Sequence, residues 1–428
     1  MDNHYNNASF NLWRNILLVN AFLGYCLFYV TRRTCLYSMP MLLQDTALSF
    51  NTEAFGLMNS TQMVFYSVGK IICGILADKT RPKIIFTVGL VLVGLINISF
   101  GFSTSVLMFI VLQALNGLFQ GCGWAPIAVL IKRWYHPTEL GTIWAILSAT
   151  MNISSSVIPL IMATLSDYLH WSRSFIIVGV TAILYSVIAY VSIKDNPSEV
   201  CIETDINIKQ KNNKALNSKV PFIEIFKSEF IWLMSLSYFI WSSVKSGLED
   251  WLQLYLINER HFSKYQASFG VMYFQFGGLL ACVSSGIVSD KLMMKFGDKM
   301  KSSPRLPVIL FCSAFIVVWL YLLHFLKQDS LILINITSFF LGFCCYGPYT
   351  LFGLLVMENA PPGLSGSAHS LASAASTTGS VFAGYPFTYL SSTYGWNGVF
   401  IVMAIVAILN SIILMYALTV DTGKSKAE

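Results

Sequence analysis

The stretch Tyr25–Pro40 reads YCLFYVTRRTCLYSMP and belongs to an apolar run that begins near Ile16. As a helix, this run is long enough to span a bilayer, yet it contains Arg32 and Arg33. An arginine at the centre of a membrane costs about 2.5–3.5 kcal/mol on insertion scales, so two adjacent arginines indicate a functional site. The alternative is that both side chains lie near the helix end and extend to the lipid headgroups.

Helical spacing adds tyrosines to the face that carries the first arginine. Tyr25, Tyr29 and Arg32 are separated by four and three residues, so they share one side of a helix. Arg33 lies about 100° further round the helix axis. Phenol and guanidinium groups on one helix suit a ligand that is both an anion and a polyol.

The rest of the chain is similarly apolar. Of its 428 residues 55% are hydrophobic and 11% are charged, and the mean hydropathy is +0.63. Apolar runs of about 20 residues are typical of membrane helices rather than barrel strands, so we expect an all-α membrane protein surrounded by lipid. We find no nucleotide loop, nucleophile motif or metal-ligand pair, so we expect a protein that is not an enzyme and needs neither cofactor nor metal.

Hydropathy predicts twelve membrane spans in two groups of six. The predicted domains are an N-terminal six-helix bundle (1–193), a cytosolic linker (194–229) and a C-terminal six-helix bundle with a cytosolic tail (230–428). The predicted spans are 15–39, 55–77, 84–102, 106–131, 143–166, 174–192, 230–256, 267–288, 307–326, 331–356, 369–390 and 399–420.

The distribution of basic residues predicts the topology. Nineteen of the 27 lysines and arginines fall on the side that carries both termini and the central linker, and four fall on the opposite side. Positive charge is concentrated in cytoplasmic loops, so both termini are expected in the cytosol. The net charge of +6 follows from this topology and does not indicate a nucleic-acid partner.

A short motif follows the second span and recurs after the eighth. Its residues are Gly74, Asp78, Lys79 and Arg81 in the first copy and Gly286, Asp290 and Lys291 in the second. Two related six-helix halves and this loop motif resemble the major facilitator fold. We expect each copy to form a charge contact between neighbouring helices on the cytosolic side. A charged turn without such a contact is the alternative.

The seventh span carries a cation at the place where the first span carries its arginines. Lys245 follows Arg33 by the same offset that relates the two loop motifs. We expect Lys245 and the arginines to form a clamp for a dianion, with one part in each half. Glu249 and Asp250 supply partners for Lys245 when no anion is bound. The alternative is a purely structural Lys245–Glu249 pair at i, i+4.

Further residues in the spans are candidates for the wall of a solute pathway. Tyr66 and Lys70 share a face of the second span, Trp124 follows a glycine-rich stretch in the fourth, and His369 opens a serine stripe in the eleventh. Each has a structural alternative. Lys70 can extend to the membrane surface, Trp124 can pack in the core and His369 can cap its helix.

With these residues the chain resembles the organophosphate:phosphate antiporter family of the major facilitator superfamily. The resemblance covers about Tyr25 to Glu428 and is strongest to the endoplasmic-reticulum branch, which exchanges glucose 6-phosphate for phosphate. The motifs that carry it are Arg32-Arg33-Thr34, Asn116-Gly117-x-x-Gln120-Gly121-x-Gly123-Trp124, Trp144-Ala-Ile-Leu-Ser148, Val244-Lys245, Asp250-Trp251, Tyr346-Gly347-Pro348, Glu358-x-Ala360-Pro361-Pro362 and His369.

The resemblance implies exchange of a sugar phosphate for inorganic phosphate by alternating access. By motif position, Arg32 and Lys245 correspond to the family's phosphate-binding cations, and Arg33 and Asp250 correspond to a pair that bridges the halves when the site is empty. The further residues assigned to substrate binding are Tyr25, Tyr29, Tyr66, Lys70, Trp124, Asn152 and His369.

Three residues depart from the family pattern. Lys245 replaces the arginine of bacterial antiporters, so bidentate recognition of phosphate is lost there. Met151 occupies a position where the glycerol-phosphate member has a substrate-contacting histidine. Glu249 adds a negative charge beside Lys245, which either weakens anion affinity or tunes the lysine.

The C-terminal tail carries a predicted localisation signal. Lys424 and Lys426 stand fifth and third from the end and resemble the dilysine retrieval signal of endoplasmic-reticulum membrane proteins. A basic tail that anchors the last helix is the alternative. With the resemblance, we expect an endoplasmic-reticulum membrane protein that works alongside a lumenal glucose-6-phosphatase.

Two other functions stay open at this point. A sugar-phosphate sensor would keep the same fold and binding residues but would not transport. An antiporter for another organic anion, such as a carboxylate, would also use paired cationic sites.

Overall fold

The computed structural model describes residues 2–45, 48, 50–135, 140–200, 223–296, 302–325, 330–361 and 365–420. Within these ranges the regular secondary structure is helical. Twelve long helices of this described part, labelled α1 to α12, are Asp2–Tyr37, Thr52–Lys79, Pro82–Gly101, Val106–Trp134, Leu140–Tyr168, Trp171–Ser192, Glu229–Asn258, Lys264–Phe296, Leu306–Phe325, Leu331–Glu358, Ser365–Val381 and Tyr385–Ala417. Short helices occupy Met39–Gln44 and Glu224–Lys227, and a 3-10 turn occupies Pro197–Glu199.

Nine segments of the described chain are long and apolar enough to cross a membrane. They include every long helix except α2 and α7, with α11 and α12 counted as one segment. These two helices carry Lys70, Lys245, Glu249 and Asp250, whose polarity lowers the mean hydropathy of their surroundings. The all-α multi-pass membrane fold expected from the sequence is confirmed.

The chain divides into two compact units. Unit 1 comprises residues 1–50 and 61–217, and unit 2 comprises residues 51–60 and 218–428. The last helix of the first half, α6, ends at Ser192 and α7 begins at Glu229, on either side of the predicted linker. The first turns of α2 belong to unit 2, whereas the rest of that helix belongs to unit 1.

Glycines bring helix backbones into contact within each unit. In unit 1, a Cβ placed at Gly117 of α4 would lie 2.3 Å from the carbonyl oxygen of Gln62 on α2. In unit 2, a Cβ at Gly342 of α10 would lie 1.8 Å from the carbonyl oxygen of Phe274 on α8. Both distances are far shorter than a van der Waals contact, so only glycine permits these approaches. The same helix pair of each half is therefore packed backbone to backbone.

The helix predicted over 369–390 is wrong in one respect, because residues 382–384 leave the helical conformation. Pro386 follows the break, and its missing N–H suits the start of a helix rather than its interior. The Ser60 hydroxyl donates to the Val381 carbonyl oxygen at 2.9 Å and accepts from the Tyr385 N–H at 2.9 Å. One side chain from α2 thereby satisfies a backbone group on each side of the break.

A second interruption lies inside α12. Gly395 has φ of 64° and ψ of −178°, a non-helical conformation that divides the helix. Glycine adopts a positive φ without steric cost, whereas other residues are strained there. The predicted twelfth span, 399–420, begins just after this break.

Candidate anion-binding site

Arg32 of unit 1 lies among aromatic and thioether groups. Its Nη2 is 3.3 Å from the Met63 Sδ, and its guanidinium carbon is 4.3 Å from the centroid of the Tyr66 ring and 5.8 Å from that of Tyr29. Among the described residues no carboxylate pairs with Arg32, and its buried Nε has no hydrogen-bond partner. The side chain is half-buried. The guanidinium fork binds two oxygens of an anion at once, so this side chain is suited to an incoming anion.

Lys70 approaches the same aromatic ring. Its Nζ is 4.4 Å from the Tyr66 centroid, so Arg32 and Lys70 both make cation–π contacts with one tyrosine. Lys70 is half-buried and, within the described part of the chain, has no carboxylate partner. The structure thus brings together two of the predicted site cations around Tyr66.

Arg33 differs from Arg32 although it is the next residue. It is only 5% exposed, its Nη2 donates to the Tyr29 hydroxyl at 3.3 Å, and its guanidinium carbon lies 5.5 Å from the centroid of that ring. Its predicted partner, Asp250, belongs to unit 2, and their pairing stays a prediction.

Tyr25 and Trp124 pack together beside the cations that surround Tyr66. Their ring centroids are 5.0 Å apart, and the phenols of Tyr25 and Tyr66 are neighbours. Met151 packs against the same buried cluster that includes Tyr25. Asn152 on α5 is buried, and no described residue hydrogen-bonds to its Oδ1.

Lys245 of unit 2 forms a buried ion pair. Its Nζ lies 2.5 Å from Glu249 Oε2, one helical turn further along α7. The Nζ also lies 4.5 Å and 4.9 Å from the ring centroids of Tyr346 and Tyr349 on α10. Two tyrosines and a carboxylate therefore surround the second predicted phosphate-binding cation, and the i, i+4 contact is present.

Glu249 is held by a second helix as well. Its Oε1 lies 3.5 Å from Nε2 of Gln275 on α8, and the Oε1 of that glutamine accepts from the Tyr346 hydroxyl at 2.8 Å. Sequence reasoning missed Gln275, because a glutamine inside an apolar helix carries no charge that would attract notice.

Two other predicted residues of unit 2 have separate surroundings. Asp250 is buried and accepts a hydrogen bond of 2.6 Å from Nδ2 of Asn59, in the first turns of α2. His369 lies at the start of α11, where its Nδ1 is 3.4 Å from the carbonyl oxygen of Gly353 on α10. The structure does not bring His369 into contact with Lys245.

The second copy of the loop motif forms a charge contact between helices. Asp290 at the end of α8 accepts from Arg305 at 2.6 Å, and Arg305 also binds both carboxylate oxygens of Glu358, at 2.9 Å and 2.8 Å. Arg305 precedes α9 and Glu358 ends α10. The motif indicated Asp290 but neither its partner Arg305, 15 residues later, nor Glu358, 53 residues after Arg305.

The carboxylates of Asp290 and Glu358 keep Arg305 charged. Burial acts to lower its pKa, but hydrogen bonds to Glu358 and Asp290, together with their negative charges, outweigh this effect and raise the pKa.

Two other motif residues whose side chains the structure describes, Arg81 and Lys291, form no comparable contact with a described residue. Arg81 and Lys291 are exposed, and a Cβ added at Gly74 or Gly286 would meet no atom within 4 Å. The side chains of Asp78 and Lys79, and the tail lysines Lys424 and Lys426, lie outside the described residues. The part of the chain that the structure describes contains no group of three acidic, cysteine or histidine residues suited to a metal ion.

Comparison with known proteins identifies the family. Residues 21–384 match the model of the Major Facilitator Superfamily. A "probable hexose phosphate transport protein" of Chlamydia muridarum is 28% identical over 421 residues, which cover 94% of this chain and 90% of the relative. The membrane sensor protein UhpC of Escherichia coli (strain K12) is 28% identical over 427 residues, covering 98% of this chain and 95% of UhpC.

A solved structure shares the fold. The crystal structure of a bacterial homologue of the human lysosomal transporter Spinster, inward-facing and unoccupied, superimposes with a TM-score of 0.76 at 14% identity. The alignment covers 95% of this chain and 97% of that one. The relatives are transporters and transporter-like membrane proteins rather than enzymes. This chain belongs to the Major Facilitator Superfamily and, as its motifs indicated, to the organophosphate:phosphate antiporter family.

Proposed function

We propose that the protein exchanges a sugar phosphate, namely glucose 6-phosphate, for inorganic phosphate across the endoplasmic-reticulum membrane by alternating access. One observation carries the proposal. Arg32 is a half-buried guanidinium on a membrane helix, and no carboxylate pairs with it among the described residues. Intramembrane charges are costly and mark sites of function. An anionic substrate supplies the counter-charge that this arginine lacks.

The surroundings of Arg32 fit a phosphate ester. A phosphate group carries about −1.5 to −2 charges near neutral pH, which matches the combined charge of Arg32 and Lys70. The guanidinium fork binds two phosphate oxygens at once. The phenols of Tyr25, Tyr29 and Tyr66 offer hydroxyl groups to a polyol.

The cluster of unit 2 supports the same class of ligand. Lys245 lies next to two tyrosine rings, and its ammonium is a point charge with freely rotating donors. The ammonium therefore donates hydrogen bonds to phosphate oxygens in more than one orientation. A phosphate ester and inorganic phosphate both carry a phosphate group, so the same cationic side chains serve both partners of the exchange.

The test is exchange by the full chain in proteoliposomes. Vesicles loaded with phosphate should take up labelled phosphate, and external glucose 6-phosphate should compete with it. Arg32→Gln should weaken phosphate binding at least about 30-fold, because loss of a partner in a desolvated charge pair costs about 2–5 kcal/mol. Arg173→Gln, which removes the same charge from an exposed position, is the matched control. Near wild-type exchange by Arg32→Gln would refute the proposed site.

A sugar-phosphate sensor is the second candidate, because a membrane sensor protein is among the relatives. A sensor would bind phosphate esters but give no counterflow of labelled phosphate. An antiporter for a different organic anion would show exchange that excess phosphate does not inhibit. The same vesicle assay distinguishes both outcomes from exchange of a sugar phosphate for phosphate.

A further inference from the structure

Five amide side chains form a buried network in unit 1, beside the turn of α1 that carries Arg32. They come from three helices, and each is at most 5% exposed. An amide inside a membrane helix is costly unless it is hydrogen-bonded, so each of these side chains is expected to bind a partner. The members of the network are Gln62 of α2, Asn97 of α3, and Gln113, Asn116 and Gln120 of α4.

Donors from α3 and α4 converge on backbone carbonyl groups of α1. Nε2 of Gln120 donates to the Phe28 carbonyl oxygen at 2.9 Å. Nδ2 of Asn97 donates to the Thr31 carbonyl oxygen at 3.1 Å, and Nδ2 of Asn116 lies 3.4 Å from the same oxygen. Gln120 also donates to the Thr31 hydroxyl at 3.2 Å. Two other helices therefore hold the turn that precedes Arg32.

Helix α2 contacts both the backbone and the side chain of Arg32. Nε2 of Gln62 donates to the Arg32 carbonyl oxygen at 3.3 Å. Met63 and Tyr66, on the same helix, contact the guanidinium group. The position of α1 relative to α2 thus determines where the guanidinium lies among these side chains.

Asn116 joins the two glutamines that donate to α1. Its Oδ1 lies 3.3 Å from Nε2 of Gln62 and 3.3 Å from Nε2 of Gln120. The next residue, Gly117, allows α2 and α4 to meet here, because a Cβ at this position would lie 2.3 Å from the Gln62 carbonyl oxygen. Close backbone packing of α2 against α4 therefore fixes the network in place.

Stability alone does not account for this concentration of amides. A carbonyl group inside a helix already accepts the N–H four residues later, so α1 needs no further donors. Hydrogen bonds between membrane helices add little net stability, because the unfolded state in the membrane also finds polar partners. The bonds do restrict rotation and translation of α1 at residues 28–32. A guanidinium fork depends on such restriction, since a displacement of about 1 Å can cost about 100-fold in function.

We propose that the amides that donate to α1 are positioning residues for anion binding, namely Gln62, Asn97, Asn116 and Gln120. They hold the turn that carries Arg32, so that its guanidinium meets a phosphate group in one orientation. The inference rests on the proposed function, since it assumes that Arg32 binds phosphate. The amides act through the backbone of α1 and do not themselves bind the anion.

The first experiment measures phosphate binding by the purified full-length protein after removal of one amide. Gln120→Met keeps the length of the side chain but removes its bond to α1, so the dissociation constant for phosphate should rise by about 10- to 100-fold. Tyr185→Phe is the matched control. The Tyr185 hydroxyl also donates to a carbonyl oxygen of α1, that of Asn20 at 3.3 Å, but about three helical turns before Arg32. This variant should bind phosphate like the wild type.

The second experiment tests whether Gln120 acts through Arg32. Gln120→Met is repeated in an Arg32→Lys protein, whose ammonium has no planar fork. There it should change the dissociation constant by less than about threefold, because coupled positions are not additive. An Arg32→Lys protein that binds no phosphate also supports the proposal, since the charge is kept and only the fork geometry is lost. An equal fold-change in both proteins would overturn it.

The outcomes separate this inference from the proposed function. Equal dissociation constants for the wild type and Gln120→Met overturn the positioning role and leave phosphate binding by Arg32 intact. A rise that Tyr185→Phe shares also overturns the role, because it would then reflect lost stability. If Gln120→Met does not fold, Asn97→Leu, which removes a donor to Thr31 from α3, decides in the same way. A wild type that binds no phosphate refutes the proposed function itself.

Discussion

Arg32 and Arg33 are neighbours in sequence, yet their side chains have different surroundings. Arg33 is buried and donates to the Tyr29 hydroxyl. Arg32 lies against Tyr66 and Met63. Adjacent residues of a helix point about 100° apart and meet different neighbours. The spacing predicted two intramembrane cations, but only packing against α2 decided that Arg32 lies against Tyr66 and Met63, whereas the aromatic neighbour of Arg33 is Tyr29 on its own helix.

At the same scale, Arg305 forms two ion pairs, a strong one with Glu358 and a weak one with Asp290. Glu358 has a side chain that is 25% exposed, whereas that of Asp290 is 62% exposed. Glu358→Gln should lower the free energy of unfolding by about 1–3 kcal/mol, because a buried guanidinium loses its bidentate partner. Asp290→Asn should cost less than about 1 kcal/mol, since solvent screens its pair. Thermal unfolding in detergent measures both, and a larger effect of Asp290→Asn would contradict this ranking.

At the scale of helices, close backbone approach decides where glycine is required. A Cβ at Gly342 would meet the Phe274 carbonyl oxygen, whereas a Cβ at Gly286 would meet nothing. Gly342→Ala should destabilise unit 2 by about 1–3 kcal/mol, because α8 and α10 must separate. Gly286→Ala, the matched control on α8, should be neutral or stabilising by up to about 1 kcal/mol. Equal unfolding midpoints for the two variants would show that α8 and α10 accommodate the added methyl group without loss of stability.

The break between α11 and α12 offers a second test among the elements. Ser60→Ala removes the partner of the Val381 carbonyl and of the Tyr385 N–H. Two backbone groups lose hydrogen bonds, so the free energy of unfolding should fall by about 1–3 kcal/mol. Ser67→Ala on the same helix removes only a bond to its own helix backbone, at Met63, and should have a smaller effect. A Ser60→Ala protein as stable as Ser67→Ala would mean that the break does not depend on this hydroxyl.

For the whole molecule, the expected localisation to the endoplasmic-reticulum membrane depends on Lys424 and Lys426. Mutation of both to serine should let the protein reach the cell surface, because a dilysine signal is read from the cytosol. Fluorescence microscopy of a tagged chain measures this, with Lys291→Ser, an exposed loop lysine, as the control for lost charge. Wild-type protein already at the surface would rule out this address.

The sequence by itself determined the membrane class, the family and the helix positions, apart from the break at residues 382–384. Hydropathy is a local property, and bilayer thickness sets the length of a span. The charged residues of the predicted site also stood out, since charges are rare inside apolar runs. The i, i+4 spacing already indicated the Lys245–Glu249 contact, but tertiary structure alone decided the partners that lie far apart in sequence. Arg305 and Glu358 are 53 residues apart, and Ser60 reaches a helix break 321 residues later. Such pairings follow from how helices pack, and no local pattern along the chain encodes which side chains will meet.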